Sequence, residues 1–390
     1  MSICEHNCCT GCAACANICP KGCITMTPDG EGFLRPVIDE TICIDCGRCR
    51  MVCPVLREVP APTEDTVAYA AIHQNEQVRY HSTSGGIFSL LGQWVLDQKG
   101  AVFGAAYDES FEVVHFKVEN PEDLSALRGA KYAQSRLGDT YREAQKALQT
   151  GRYVLFSGTP CQIGGLKAFL GKEYEKLILV DLICHGVPSP KVWQHYVRYR
   201  SQQDACGEAP CAVNLRSKET GWPGYSIRFD YPTGESYCAT HGQDPYLRGF
   251  VGDLYLRPSC HDCRFKGVSR QSDFTLADYW GVWDQHPELH DGNGTSLVLL
   301  HSEKARKIWE TLRPQMTQTP ADISAALTQN ASALVSSSLT DRRDAFFSRW
   351  EQEDFSQLVD TLCPKPIHKS PSLFRRVLGK AKRFLKRIFC

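Results

Sequence analysis

The sequence predicts a mixed fold: a short cysteine-rich α+β module, a larger α/β domain behind it, and a helical C-terminal region. Three observations carry this. Of the 20 cysteines in 390 residues, 11 lie before residue 54. From Val67 onward, short apolar runs of strand length alternate with segments of helical period, the arrangement of an α/β domain. After about residue 320 the chain turns Ser/Ala-rich and then helical, and its end is basic. The expected division is 1–57, 67–320 (in two parts, 67–150 and 151–320) and 321–390, with REVPAPTEDT (57–66) as an exposed linker. Apolar and charged fractions of 42% and 23% exclude a disordered chain. Lys plus Arg equals Asp plus Glu at 44 each, so no overall charge argues for nucleic acid as a partner. The start, MSICEHNCCTGC, has no basic and apolar secretory pattern. No stretch reaches the roughly 18 apolar residues of a membrane span. The expectation is a cytoplasmic protein with reduced thiols, whose cysteines are metal ligands.

Cys9, Cys12, Cys15 and Cys19 followed by Pro20 spell C-x2-C-x2-C-x3-C-P, and Cys43, Cys46, Cys49 and Cys53 followed by Pro54 spell it again. The pattern resembles that of bacterial two-cluster ferredoxins. A C-x2-C-x2-C loop wraps three irons of a cubane, and the fourth cysteine of each run serves the other cluster. One [4Fe-4S] cluster is then expected on Cys9, Cys12, Cys15 and Cys53, and a second on Cys43, Cys46, Cys49 and Cys19. Structural zinc is the competing reading, although zinc sites typically use two separated C-x2-C knuckles. So short a module buries little apolar surface, so metal must contribute folding energy. Cys4, Cys8 and Cys23 are left over as bystanders.

In the larger domain AVFGAAY (101–107) and FEVVHFKV (111–118) read as adjacent strands. NPEDLSAL reads as a helix capped by Asn120, and GDTYREAQKALQTG as a helix closed by Gly151. RYVLFSG and LILVDLIC are strands, each followed by a turn and a helical pattern. Three features of this domain point to an electron acceptor. HSTSGGIFSLLGQWVL (81–96) leads a Ser/Gly loop into a helix, a place where free N–H groups and the helix end can meet a phosphate; a plain capped helix explains it equally well. It matches neither a Walker loop nor G-x-G-x-x-G. The strand ends LFSGTPCQIGGL and LVDLICHGVPSP place Cys161 and Cys184 where α/β sheets collect ligands. Finally, RPSCHDCRFK supplies Cys260 and Cys263 at chelating spacing. Together the four cysteines make a set for a third cubane, with a Cys260–Cys263 redox disulfide as the alternative.

The two C-x2-C-x2-C-x3-C-P runs, STSGG, GAKYAQS, SGTPCQIGGL, DLICHGVPSP, SCHDCRFK and SDFTLADYWG occur in this order over about residues 5 to 310. The combination resembles the beta-subunit family of coenzyme F420-reducing hydrogenases and dehydrogenases, which includes 7-hydroxymethyl chlorophyll a reductase, and within it the bacterial branch with a ferredoxin module fused at the front; Ala277 stands where a glycine is expected. The resemblance implies an α/β domain holding FAD beside a [4Fe-4S] cluster ligated by Cys161, Cys184, Cys260 and Cys263. It implies a flavin along Ser82, Thr83, Ser84, Gly85 and Gly86, with Lys131, Ser157, Gly158 and Thr159 nearby; Lys131 otherwise reads as a solvated surface lysine. The implied activity is an oxidoreductase passing electrons from a ferredoxin-like donor to FAD and on to a small organic substrate. A deazaflavin oxidoreductase and a non-catalytic electron-transfer subunit are the other readings. No catalytic proton donor is assigned. Cys206, Cys211, Cys238, Cys363 and Cys390 match no ligand position.

The tail SPSLFRRVLGKAKRFLKRIFC carries seven basic residues and no acidic one, with apolar residues near helical spacing. An amphipathic basic helix of this kind can touch the inner face of an anionic membrane. Without those seven cations the chain holds 37 basic against 44 acidic residues.

Overall fold

The computed structural model describes residues 2–57 and 66–365. The linker at 58–65 and the basic tail at 366–390 lie outside the described residues.

In the N-terminal module β1 (Ile24–Pro28) and β2 (Leu34–Ile38) form an antiparallel hairpin. Its turn is organised by Asp29, whose carboxylate accepts from the Phe33 amide at 2.9 Å and the Arg35 Nε at 2.9 Å. The two cysteine motifs share one backbone path. Gly11 and Ala13 in the first, and Asp45 and Gly47 at the same places in the second, have positive φ. The second residue of each pair leads into a one-turn helix, Ala14–Ile18 or Arg48–Met51. Such left-handed turns rotate successive N–H groups into one concavity, the nest typical of iron–sulfur sites.

The larger part is built on β3 (Val67–His73), β4 (Ala101–Tyr107), β5 (Val113–Val118), β6 (Val154–Ser157) and β7 (Leu177–Leu182). A separate meander follows, β8 (Ala212–Ser217), β9 (Ser226–Asp230) and β10 (Ser236–Thr240), and then β11 (Phe274–Asp278), β12 (Ser296–Leu300) and β13 (Met316–Ala321). Eight strands make one sheet in the order β13-β3-β12-β11-β7-β6-β4-β5. Its centre, β4, β6, β7 and β11, is parallel. Parallel strands need cover on both faces, and period-2 alternation divides their side chains accordingly. Leu155, Ile178, Val180 and Phe274 face the helix Ile87–Asp97 and Trp309. Val154, Phe156, Leu177 and Leu179 face the helices Thr140–Gln149 and Pro160–Leu170.

Pro121–Leu127 forms a 3-10 helix rather than the capped helix expected: the Asn120 side chain donates to the Asp123 carboxylate instead of accepting from a helix amide. Its i,i+3 pair, Leu124 and Leu127, is eclipsed by the tighter winding, and the two leucines seat against Gly92 and Gly104. Beyond β13, the helices Asp341–Phe347 and Phe355–Leu362 pack with Pro190–Ala205, Pro245–Val251 and the meander around Trp193, Tyr196, Tyr246, Tyr255 and Phe355. No helix among the described residues is long and apolar enough to cross a membrane.

The N-terminal module is seated against the larger body. Cys12, Ala13 and Ala14 belong to the same core as the Pro160–Leu170 helix. Arg142 Nε donates to the Asn17 carbonyl at 2.7 Å, and the Glu31 carboxylate accepts Arg343 Nη1 at 2.9 Å. Gly32 has φ +89°, and a Cβ there would overlap Lys191 and come within 3.0 Å of the Ser189 hydroxyl. Gly32→Ala is therefore expected to cost about 2–4 kcal/mol through left-handed strain and overpacking. An unchanged denaturation midpoint for the holoprotein would contradict this seating.

Candidate redox centres

Three cavities are lined by cysteines. The first is walled by Cys9, Cys12, Cys15 and Cys53, with Cys4 alongside. The second is walled by Cys19, Cys43, Cys46 and Cys49, with Cys23 alongside. The fourth cysteine of each motif thus lies with the other motif's three. The third gathers Cys161, Cys184, Cys260 and Cys263 from distant stretches of chain. Cys161 stands in the first turn of the helix after β6, Cys184 just past β7, and Cys260 ends the 3-10 turn Pro258–Cys260. Gly186 makes room: a Cβ there would lie 3.3 Å from the Cys260 Cβ.

Backbone amides converge on these sulfurs. The Val187 N–H donates to Cys260 Sγ at 3.4 Å; Gly11 donates to Cys9 and Ala14 to Cys12. Val55 and Leu56 donate to Cys53. Burial dominates at Cys15, pushed up to about 12, at Cys161, to about 11, and at Cys260, to about 12, whereas the neighbouring Cys4 thiol draws Cys9 down to about 5 and Cys53 to about 7. The most deeply buried thiols keep their protons unless a metal replaces them. A metal that replaces those protons makes such a set of sulfurs at once anionic and stable, and sulfur donors in fours suit iron–sulfur clusters as they suit structural zinc. The donor chemistry therefore fits.

The first and third cavities are neighbours. A Cβ on Gly165, in the helix that starts at Pro160, would stand 2.9 Å from Cys12 Sγ, and Thr10 lines both cavities. Between them lies Arg257, with no exposed surface. Its Nε donates to the Cys9 carbonyl at 2.7 Å, Nη1 to Gln134 Oε1 at 2.6 Å, and Nη2 to the Leu34 carbonyl at 3.0 Å, with Cys9 Sγ 3.6 Å away. Lys266 and Arg270 also line the third cavity. The sequence reading missed Arg257, although a cation three residues before the Cys260–Cys263 pair was a visible signal. The second cavity lies outermost: Cys46 is exposed, and Ile42, Ile44, Met51 and Leu56 expose 46–69% of their surface nearby, beside exposed Arg48 and Arg50.

The residues singled out for a flavin lie along the edge of the sheet where the parallel strands end. Ser82 and Ser84 spend their hydroxyls on the carbonyls of Val78 and Thr295, and Gly85 is wedged against the Ala71 carbonyl and Ser296. The loop therefore offers its backbone and Thr83 rather than serine hydroxyls. Lys131 donates to the carbonyls of Ala126 at 3.0 Å and Arg128 at 2.6 Å and lies 5.9 Å from the Tyr107 ring centre; burial pushes it down to about 7. Ser157 ends β6, and Gly158 and Thr159 lead from it into the next helix. The Ser157 carbonyl meets His115 Nε2 at 3.0 Å, and Thr159 caps the Cys161 helix through a reciprocal bond with Gln162. In the sheet order β3 and β6 are four strand spacings apart, about 19 Å, and the Ser82–Gly86 loop packs on the ends of β3 and β12 while the Ser157–Thr159 turn follows β6.

Residues not singled out from the sequence lie along the same edge. Lys218 donates to the carbonyls of Arg79, Ser84 and Asn293, and burial pushes it down to about 7. Arg216 pairs with Asp278 at 2.8 Å and reaches the Tyr132 hydroxyl at 3.1 Å. Its Nε and Nη2, and the Tyr107 hydroxyl, are buried without a hydrogen-bond partner among the described residues. Two cations at period 2 in LRSKE were the available signal. A cleft of about 700 Å³ opens elsewhere, at the seam between module and body, and is lined by residues including His6, Asp29, His261, Arg264 and Arg343.

Comparison with known proteins adds two domain matches. Residues 151–325 match the family described as the C terminus of the coenzyme F420 hydrogenase/dehydrogenase beta subunit. Residues 8–56 match the 4Fe-4S dicluster domain. The coenzyme F420-dependent sulfite reductase of Methanocaldococcus jannaschii is 27% identical over 78% of this chain, which spans 46% of that protein's length. A subunit of the F(420)H(2) dehydrogenase of Methanosarcina mazei is 24% identical over 80% of this chain and 84% of its own. A chain of the F420-reducing [NiFe] hydrogenase complex from Methanosarcina barkeri aligns with 73% of this chain and 91% of its own, at a TM-score of 0.47 and 17% identity.

Gly165→Val drives a branched side chain into Cys12, and should lower bound iron by about four per chain; iron analysis showing full content would contradict the contact. His115 is held neutral, burial pushing its pKa down to about 4, with Nδ1 on Ser135 and Nε2 on the Ser157 carbonyl. The folded state thus binds fewer protons here than the unfolded one. Its contribution is complete above about pH 6.5 and is lost as pH falls through about 4, a change of up to about 3 kcal/mol. Denaturation at pH 7 and pH 5 should show a steeper loss in the native protein than in His115→Gln; equal losses would contradict a buried neutral imidazole.

Proposed function

We propose, since residues 151–325 match the C terminus of the coenzyme F420 hydrogenase/dehydrogenase beta subunit and residues 8–56 the 4Fe-4S dicluster domain, that this chain is an iron–sulfur flavoprotein oxidoreductase. It takes electrons from a ferredoxin-like donor and passes them through three [4Fe-4S] clusters to FAD and a small organic substrate. The observation that carries this reading is that the twelve motif and strand-end cysteines fall four to each of three cavities, two of which also hold one further cysteine, and that two cavities meet through Cys12 and the Cys161 helix. Bound flavin supplies exchange between single electrons and a two-electron or hydride step.

The chain's own residues do the rest. The exposed apolar and arginine-bearing surface around Cys46 suits a docking protein. Cys9, Cys12, Cys15 and Cys53 lie inward of it, and Cys161, Cys184, Cys260 and Cys263 lie beyond them, within the body. Thr159 and Gln162 hold the Cys161 helix, and Arg257 supplies buried positive charge between the two inner sets. For FAD the support is of three kinds. The residues singled out sit at the ends of strands up to four spacings apart in the sheet, about 19 Å for β3 and β6, which suits an extended dinucleotide. Arg216 and Tyr107 have buried donors waiting for an acceptor. The Ile87–Asp97 helix presents its first turn beyond Gly86, a setting for a pyrophosphate.

A second reading takes the organic molecule to be coenzyme F420 itself, as the names of two relatives favour. Anaerobic purification with iron, sulfide and flavin analysis is the test. Three cubanes require about twelve irons per chain with one FAD. About eight irons without flavin would overturn the flavoprotein reading, and about eight with FAD would remove only the third cluster. Photoreduced protein that turns over F420 or another small acceptor is an enzyme; one that reduces only a partner protein is a carrier.

A further inference from the structure

The first two cavities each hold five cysteines, one more than a cubane takes, whereas the third holds four. The extra residues are Cys4 and Cys23. Cys4 lines the first cavity with Cys53 and Cys9 and packs in one cluster with Cys53. Cys23 Sγ is 3.3 Å from Cys19 Sγ and lines the second cavity with Cys43. The two positions therefore correspond. Each extra thiol shares its cavity with the first cysteine of one motif and the fourth of the other. Among the described residues, the other unassigned cysteines do not share this placement. Cys8 points to Glu5 at 3.7 Å, Cys206, Cys211 and Cys238 are exposed, and Cys363 packs near Gly252.

Local chain geometry maintains the arrangement. Cys4 is brought back to Cys9 by the His6–Cys8 turn, whose Cys9 N–H bonds to the Glu5 carbonyl at 3.2 Å. Cys23 follows the turn closed by the Gly22 N–H on the Cys19 carbonyl, with Gly22 at φ +63°, and is only 6% exposed. A thiol held this close to a ligand can replace it with small side-chain motion and no rearrangement of the module.

We propose that Cys4 and Cys23 are reserve ligands, Cys4 replacing Cys53 at the first cluster and Cys23 replacing Cys19 at the second. This rests on the cluster reading above. In the exchange one Fe–Sγ bond to Cys53 breaks and one to Cys4 forms. The Cys4 thiol proton passes to the departing Cys53 sulfur, and no electron changes hands. The Cys19–Cys23 exchange balances in the same way. Its consequence is that a cluster whose fourth ligand lets go is recaptured rather than lost, which matters most at the second cavity, where Cys46 is exposed.

The test uses the full chain purified anaerobically. Cys53→Ala should keep its iron and the absorbance and reduced-state EPR intensity of its clusters, and adding Cys4→Ala should remove about four irons. Cys19→Ala with and without Cys23→Ala should behave alike. Loss of those irons in the single variants, or their retention in the double variants, would overturn the proposal. Since a ligand variant can fail to fold, a second measurement keeps all twelve proposed ligands. Cys4→Ala/Cys23→Ala should match wild type before oxidation, but under air lose cluster absorbance several-fold faster; equal rates would overturn it. Failure of the cluster reading itself is separately visible, as wild-type protein without iron–sulfur absorbance.

Discussion

A guanidinium buried where two sulfur-lined cavities meet is the constraint on which this architecture turns. Arg257 has no exposed surface, and burial works against its charge. Three carbonyl-type acceptors and the Cys9 sulfur surround it. Hydrogen bonds to neutral acceptors recover only part of the cost of burying an ion. Negative charge on both flanks would recover more, and metal-loaded thiolate sets would supply it. The same side chain joins the Cys9 loop, β2 through Leu34, and the segment carrying Cys260, so charge compensation and the docking of the N-terminal module are one interaction. Gly11 and Gly165 allow it, for a side chain on either would occupy the space of Arg257 or Cys12.

The sheet supplies the other half of the logic. Parallel β4, β6, β7 and β11 end on one edge, and the turns beyond them carry Cys161, Cys184 and the acceptors and donors around Arg216. The helix after β6 is the pivot. Its first turn holds Cys161, its side meets Cys12, and its cap is tied through Gln162 and Ser135 to neutral His115. Redox centres can then be aligned by rigid elements rather than loops, which suits a function that depends on distance.

Much of this was legible in one dimension because its signals are local. The C-x2-C-x2-C-x3-C-P runs announce their loops, the strands β4 to β7 announce themselves by short apolar runs, and the helix at 87–97 by its period. Less visible was whatever depends on meeting. The meander β8–β10 was not anticipated, since its strands are part exposed and interrupted by a bulge between Asn214 and Ser217. The Ser82–Gly86 loop reads as hydroxyl-rich, yet Ser82 and Ser84 are bound to their own surroundings. Lys131 reads as a cation free to reach a ligand, yet it is folded onto carbonyls three and five residues back in the chain.

By itself the sequence determined the cluster motifs, the division into cysteine-rich and α/β parts, and the candidate ligands, because ligand spacing and hydrophobic period are short-range properties. The tertiary structure alone decided which cysteines share a cavity, that two cavities carry a fifth thiol, and that Arg257 stands between two of them. Those are relations between segments far apart in the chain, and only the packing of the Pro160–Leu170 helix against the Cys12 loop brings them within a few ångströms.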